Sequence, residues 1–263
     1  MKILLTNDDG LSADGLQVAY RALTADGHKV TACAPDRERS AQSQSVTIGR
    51  PIEAKAMTMT DGSIGYAVSG TPADCSRLGF TTLVPEPVDL VISGINNDSN
   101  LGFDANYSGT VAAALEAAGQ GIPALAVSLE RSGEYNWDMA TDILLEAVRL
   151  YPDWDIPKGV MVNLNIPAVI SDPIWVWTLL NPTPAPDYYR KYPGNNNGSA
   201  QYARLRQEET CPASDDSDLA FFRAGRVTLS PIVPVATFLP ALQRLKNAQQ
   251  PTDNCPHRTQ KSL

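Results

Sequence analysis

Met1-Lys2-Ile3-Leu4-Leu5-Thr6-Asn7-Asp8-Asp9-Gly10 decides how the rest of the chain is read. Ile3, Leu4 and Leu5 form a short unbroken apolar run, the signature of a strand buried on both faces of a parallel sheet. The run stops abruptly on Thr6-Asn7-Asp8-Asp9-Gly10. In open α/β sheets the C-terminal ends of the strands are where ligands bind. Two adjacent carboxylates repel unless water, a proton or a cation offsets them, and a hard divalent cation such as Mg²⁺ prefers oxygen donors of this kind. Asn-Asp-Asp-Gly is equally what a solvated turn is made of, so the rest of the chain must separate the two readings.

Working outward, Asp14 to Ala25 places Leu16, Val18, Ala19, Ala22 and Leu23 at near-helical spacing, and Gly27 caps that helix. Lys29 to Ala34 is a second strand ending at Pro35, which completes a parallel βαβ unit. The loop Pro35-Asp36-Arg37-Glu38-Arg39-Ser40 should open on the same sheet edge as Asp8 and Asp9, where a serine hydroxyl could meet a metal or an anion, although taken alone it reads more simply as a surface loop rich in charge and serine. Val46-Thr47-Ile48 and Gly65-Tyr66-Ala67-Val68 read as strands on either side of a hairpin at Thr60-Asp61-Gly62-Ser63. Thr71 precedes Pro72 as the N-cap of a further helix.

A second buried strand, Val88 to Ser93, again ends in amides and a glycine: Ser93-Gly94-Ile95-Asn96-Asn97-Asp98-Ser99-Asn100. Downstream, Asn106-Tyr107-Ser108-Gly109-Thr110 opens an alanine-rich run, Val111 to Ala118, that strongly favours helix. Free backbone N–H groups, two hydroxyls and the helix dipole meet at that start, an arrangement that suits a phosphate, and Gly109 would let a ligand approach the backbone. A strand at Ala124–Ser128, a helix over about 136–150 and a strand at Gly159–Asn165 complete an alternating core, with Asn165 offering one more polar group at the sheet edge.

Beyond about residue 170 the character changes. Prolines 173, 182, 184, 186 and 193 and a Gly-Asn-rich run at 194–198 argue against a helix or central strand. Tyr188, Tyr189, Tyr192 and Tyr202 make the stretch an arm against another subunit, a lid, or an excursion packed on its own body. Ser217–Phe222 reads as a short helix and Val227–Pro231 as a returning strand, with a polar tail after about Lys246. The expected architecture is a Rossmann-like three-layer α/β fold with a mostly parallel sheet. The expected layout is a catalytic core at 1–170, an extension at 171–246 and a tail at 247–263.

Composition narrows the function. The chain has 263 residues, 43% hydrophobic and 19% charged, with a net charge of −8 and a sequence pI near 4.8. Such an acidic protein lacks the basic surface that a nucleic-acid polymer or an anionic membrane needs, although a bound metal would still admit a small phosphate ester. No apolar run approaches the length of about 20 residues that spans a bilayer. Lys2 is followed by only three apolar residues, which is no signal peptide, so a cytoplasmic protein is expected. Cys33, Cys75, Cys211 and Cys255 lack zinc-ligand spacing and read as free thiols. The two histidines, His28 and His257, suit neither a Ser-His-Asp triad nor a His-rich zinc site, so the chemistry falls to carboxylates, amides, hydroxyls and an oxygen-loving metal.

Five segments in order, Leu4–Gly10, Ala34–Ser40, Gly70–Cys75, Ser93–Asn96 and Tyr107–Thr110, resemble the signature segments of the SurE family of survival proteins, which act as 5′(3′)-nucleotidases. The resemblance implies one divalent metal ion per subunit, Mg²⁺ or Mn²⁺, held by Asp8, Asp9, Ser40 and Asn96. It also implies a phosphate cradle from Asn100, Ser108, Gly109 and Thr110, with Asp8 or Asp9 orienting or deprotonating a water. Nucleoside monophosphates are the implied substrates of this acid-type phosphatase, and a homodimer or homotetramer the implied assembly. The chain departs from the family at Ala41-Gln42-Ser43-Gln44-Ser45, at Val176–Leu180, which lacks an arginine, and in the Pro/Tyr stretch, all of which bear on substrate preference and subunit contacts. A receiver domain would need a phospho-accepting aspartate where Ser93–Asn96 offers an amide, and a haloacid-dehalogenase-type phosphatase would need an aspartate two residues after Asp8, where Gly10 stands. The alternative from another class is a non-enzymatic, metal-binding stress protein.

Overall fold

A computed structural model describes residues 1–193, 199–206 and 211–236. In chain order the elements are β1 (Lys2–Thr6), α1 (Asp14–Ala25), β2 (Lys29–Pro35), β3 (Ala54–Thr58), β4 (Ile64–Val68), α2 (Pro72–Leu78), β5 (Leu90–Asn96), α3 (Gly109–Gly119), β6 (Ala124–Leu129), α4 (Trp137–Leu150), β7 (Met161–Ile166), β8 (Asp172–Trp177), β9 (Asp187–Tyr192), β10 (Gln201–Arg206), α5 (Asp218–Arg223) and β11 (Arg226–Ile232). Nine strands form one sheet in the order β3-β4-β2-β1-β5-β6-β7-β11-β8. The run from β4 to β7 is parallel, while β3 and β11 each pair antiparallel with their inner neighbours.

The alternation of the central strand explains the layers. Ile3 and Leu5 point to one face of the sheet and pack with Leu16 and Tyr20 of α1 and Leu144 and Val148 of α4. Leu4 points to the other face and packs with Cys75 of α2 and Val111, Ala114 and Ala118 of α3. A strand that buries both faces is mostly apolar, which is why β1 runs Ile3-Leu4-Leu5 and β5 Leu90-Val91-Ile92 before their polar ends. Helices therefore cover both sides of a mostly parallel sheet, the three-layer arrangement expected from the sequence.

The α2 start carries a full capping box. Thr71 Oγ1 accepts from the Asp74 backbone N–H at 3.1 Å, and the Asp74 carboxylate accepts from Thr71 N–H at 2.9 Å. Asp74 also accepts from the Thr47 hydroxyl at 2.6 Å, which ties the loop before β3 to this helix. That bond corrects one expectation: Val46-Thr47-Ile48 is a loop segment, and the strand beside β4 is Ala54–Thr58. The proline-rich stretch 173–193 supplies no central strand, while β11 returns to the sheet between β7 and β8. β8 sits at the sheet edge, and β9 and β10 form a separate two-stranded ribbon. Cys33, Cys75 and Cys211 are free and buried. The Gly-Asn run at 194–198, Cys255 and the polar tail lie outside the described residues. Among the described residues no helix is long and apolar enough to cross a membrane.

Candidate active site

The chain leaves β1 for β2 on one side and later fills β5 on the other, so the sheet has a topological switch point between β1 and β5. Loops diverge there and leave a crevice at the strand ends. Asp8 and Asp9 follow β1, Ser40 follows β2, Asn96 ends β5 and Asn100 follows it; all five line one cleft of about 640 Å³, together with Ser108.

Each loop is fixed by its own bonds. Asn7 is buried and closes the turn after β1: its Oδ1 accepts from Gly10 N–H and its Nδ2 donates to Gly10 O, both at 3.1 Å. Gly10 has φ +108°, a backbone conformation that other residues rarely adopt. Arg39 N–H donates to Asp8 O at 2.7 Å, which brings the β2 loop against the β1 loop, and Ser40 lines the same cleft as the carboxylate pair. Ser40 is exposed, and its hydroxyl donates to Glu38 at 2.8 Å. On β5 the pairing with β6 shifts register between Ser93 and Asn96, a bulge that re-aims Asn96. A side chain at Gly94 would meet Val127 O at 2.3 Å, so only glycine fits that bulge. The Gly94–Ile95 peptide is cis. Asn96 Nδ2 donates to Asp98 O at 2.6 Å, which leaves the side-chain carbonyl as the oxygen donor it can offer a ligand.

The α3 start, where a phosphate is expected, lies against a carboxylate. Ser108 is the N-cap and accepts from Val111 N–H at 3.1 Å, while still lining the cleft. Gly109 and Thr110 are turned toward Asp8: the Thr110 hydroxyl donates to Asp8 Oδ1, and the backbone N–H groups of both residues face that carboxylate. Asp8 is thus the anion at this helix end. Asn100 is clamped from β7. Its N–H donates to Asn165 Oδ1 at 2.7 Å, its carbonyl accepts from Asn163 and Asn165, and its own Nδ2 donates to Ser128 at 2.7 Å. Asn165, expected to present a polar group at the sheet edge, turns that group inward and uses it as a support.

Burial pushes the Asp8 carboxyl up despite the bonds from Thr110. Asp9 is pushed up to about 7, first by burial and then by the charges of Asp8 and Glu38. A carboxylate pair this unfavourable when ionised is a place where a cation would be welcome. Among the described residues no three His, Cys, Asp or Glu side chains cluster as metal ligands. The donor set is instead two carboxylates, a hydroxyl and an amide oxygen, which fits Mg²⁺ or Mn²⁺ and not a soft metal.

The sequence reading passed over Glu38, Glu130 and Arg131, which line the same cleft. Arg131 directly follows the β6 loop residue Glu130, at the sheet edge already marked by Asp8 and Asn96, and that position was the available signal. Also missed was the far wall, where Phe103, Tyr107, Arg204 and Arg206 reach the cleft.

The comparisons with known proteins identify the family. The family model described as "Survival protein SurE" matches residues 3–182. The chain is 35% identical over 250 residues to a Kosmotoga olearia protein named 5′-nucleotidase SurE, covering 94% of this chain and 97% of that one. It is 33% identical over 254 residues to a protein of the same name from Thermosipho africanus, covering 95% and 97%. The crystal structure of the SurE protein from Aquifex aeolicus superposes with a TM-score of 0.79 at 27% identity, over 95% of this chain and all of that one. A Rossmann-like sheet with an acidic pair at its switch point, matched along nearly the whole chain by such relatives, places this protein in the SurE family.

Proposed function

We propose that the chain is a divalent-metal-dependent phosphomonoesterase that hydrolyses nucleoside 5′-monophosphates, and 3′-monophosphates as a further substrate, to nucleoside and inorganic phosphate. The observation that carries this reading is the meeting of Asp8, Asp9, Ser40 and Asn96, distant in sequence, in one cleft at the switch point. The names of the relatives support it.

Asp8, Asp9, the Ser40 hydroxyl and the Asn96 carbonyl would hold one Mg²⁺ or Mn²⁺ per subunit. When bound, the ion supplies charge neutralisation for the phosphoryl oxygens and a more acidic water. Asp8 is fixed by Thr110 and the α3 start, so its carboxylate keeps one orientation. Asp9 is the more accessible of the pair and is the carboxylate for orienting the water that attacks phosphorus. Asn100 retains one amide N–H after donating the other to Ser128, and with the Ser108 hydroxyl it offers donors to the phosphoryl oxygens. Gly109 and Thr110 serve the phosphate site at one remove, by holding Asp8.

The same reading includes association of copies into a homodimer or homotetramer. Tyr188, Tyr189, Tyr192 and Tyr202 stand exposed on the β9–β10 ribbon, and an isolated two-stranded ribbon is marginal in water.

The decisive test is steady-state phosphate release from a panel of 5′- and 3′-monophosphates, after chelation and after adding back Mn²⁺ or Mg²⁺. Metal-dependent turnover that Asp8→Asn abolishes supports the enzyme. Metal binding without phosphate release from any member favours the non-enzymatic stress protein.

A further inference from the structure

The cleft extends well past the carboxylate pair. Its far wall carries Phe103 and Tyr107, on and just after the 3-10 turn Gly102–Asn106. Their ring centroids lie 5.9 Å apart at an interplanar angle of 63°. Phe103 is 38% exposed and Tyr107 39%. From β10, the Arg204 guanidinium stands over the Tyr107 ring, 5.5 Å from its centroid.

The group is held from both sides. Arg204 Nε donates to Asp187 at 2.6 Å, and Arg206 pairs with Asp104 inside the same 3-10 turn. Asp218 accepts from Gly102 N–H at 2.6 Å and so anchors where that turn begins. The Tyr107 carbonyl accepts from Ser43 N–H at 3.0 Å, which connects the group to the loop after Ser40. Residues 102–110 thus run from this aromatic wall to Thr110, which bonds to Asp8. Half-exposed rings set edge to face, with a guanidinium over one of them, offer aromatic and cationic contacts to a flat π-system, and every nucleobase has such a face.

We propose that Phe103, Tyr107 and Arg204 form the platform on which the nucleobase stacks, so that this wall sets the preference for nucleotides over other phosphate esters. The inference rests on the phosphomonoesterase reading above and adds the substrate end which that reading leaves open. Purines, with the larger face, gain more from the platform than pyrimidines.

The test compares kcat/KM for a purine nucleoside 5′-monophosphate with that for ribose 5-phosphate, which keeps the ester and sugar and lacks the base. Wild type is expected to prefer the nucleotide about tenfold or more, the range that stacking one base supplies. Tyr107→Leu and Phe103→Leu, which keep apolar bulk, are expected to cut that preference at least about fivefold through the KM for nucleotide, and Tyr107→Phe to keep it. A preference unchanged in both leucine variants overturns the platform. A wild type that releases phosphate from neither ester with Mn²⁺ or Mg²⁺ overturns the phosphomonoesterase reading instead. Saturation-transfer NMR with adenosine then still decides the platform: signal in wild type and its loss in Tyr107→Leu supports it, and equal signal in both overturns it.

Discussion

Gly109 stands directly beneath Asp8: a Cβ at position 109 would lie 2.7 Å from Asp8 Cβ and 2.8 Å from its Oδ2. The first residue of α3 is glycine because a carboxylate from β1 occupies the space where a side chain would go. That contact lets the helix end, through its N–H groups and the Thr110 hydroxyl, hold Asp8 in place.

Gly109→Ala is therefore expected to displace Asp8 rather than merely crowd a ligand. Overpacking of this kind costs about 1–3 kcal/mol. A displacement of about 1 Å in a catalytic group can cost about a hundredfold in rate. A thermal melt and kcat in saturating Mn²⁺ check both parts. A variant with near-wild-type kcat would show that the Asp8 position has slack the packing does not suggest.

Asp9 makes the metal-free protein sensitive to pH. Its folded-state value is raised to about 7 from an ordinary value of 3.8. A carboxyl raised on folding favours the folded state below its unfolded value, and that advantage is lost as pH rises through the folded value. In chelator, Tm is expected to fall as pH goes from about 4 to about 7.5. Asp9→Asn removes much of that slope and raises Tm near pH 7.5 by about 2–4 °C, roughly 1 kcal/mol for a chain of this size. Asp8, raised by burial, adds a slope of the same sign. Melts of both proteins across this range in EDTA decide the matter.

Metal should reverse that liability. If Asp8, Asp9, Ser40 and Asn96 hold a divalent ion, Mn²⁺ at about a hundred times its Kd stabilises the fold by about 2.7 kcal/mol. EDTA removes both this gain and the phosphate release. Asp8→Asn and Asp9→Asn should lose the metal-induced Tm shift along with activity. Melts with and without Mn²⁺ check it, and an unaltered shift in both variants would move the ion elsewhere.

Much of this site is legible in the sequence because the fold puts its chemistry where buried strands end. β1 turns polar at Thr6 and β5 ends in amides, which marks the loops bearing Asp8 and Asn96, whereas Ser40, five residues past the end of β2, is singled out only by the family resemblance. Strand β3 is not legible: all five of its residues are exposed, and only backbone pairing with β4 makes it a strand. Val46–Ile48 has the better strand composition, yet its Thr47 is committed to Asp74. The purpose of Gly109 is half legible, since a close approach is evident but the approaching group lies on another strand. The Asn165–Asn100 clamp joins positions 65 residues apart, and no local pattern encodes it.

That clamp yields its own prediction. Asn165→Ala removes the acceptor for Asn100 N–H and one of two donors to its carbonyl, inside a fully buried setting. Leaving the N–H unpaired costs about 1–3 kcal/mol. Because Asn100 lines the cleft, KM for nucleotide should rise several-fold more than in Ser128→Ala, which leaves the backbone clamp intact. Steady-state kinetics of the two variants, beside their melting temperatures, separate loss of positioning from general loosening.

Asp218 extends the same logic to the far wall. Although fully buried, its carboxylate accepts from the N–H groups of Gly102, Asn181 and Leu219 at 2.6, 2.9 and 2.8 Å. It thereby fixes the start of the turn bearing Phe103 to the segment after β8. A side chain on Gly102, whose φ is +51°, would meet Asn181 at 2.8 Å, so the two segments are already as close as backbone allows. Asp218→Asn keeps the shape but points an amide NH₂ at donors, and each bond to the charged group is worth about 1.5–3 kcal/mol. The expected result is lower Tm, faster amide hydrogen exchange at Gly102 and Asn181, and a rise in KM for nucleotide that exceeds any fall in kcat. Asp8 is held by separate bonds, from the Thr110 hydroxyl to its carboxylate and from Arg39 N–H to its backbone carbonyl, so the chemical step should suffer least. A variant whose KM stays fixed while its Tm drops would reduce Asp218 to a brace with no influence on the cleft.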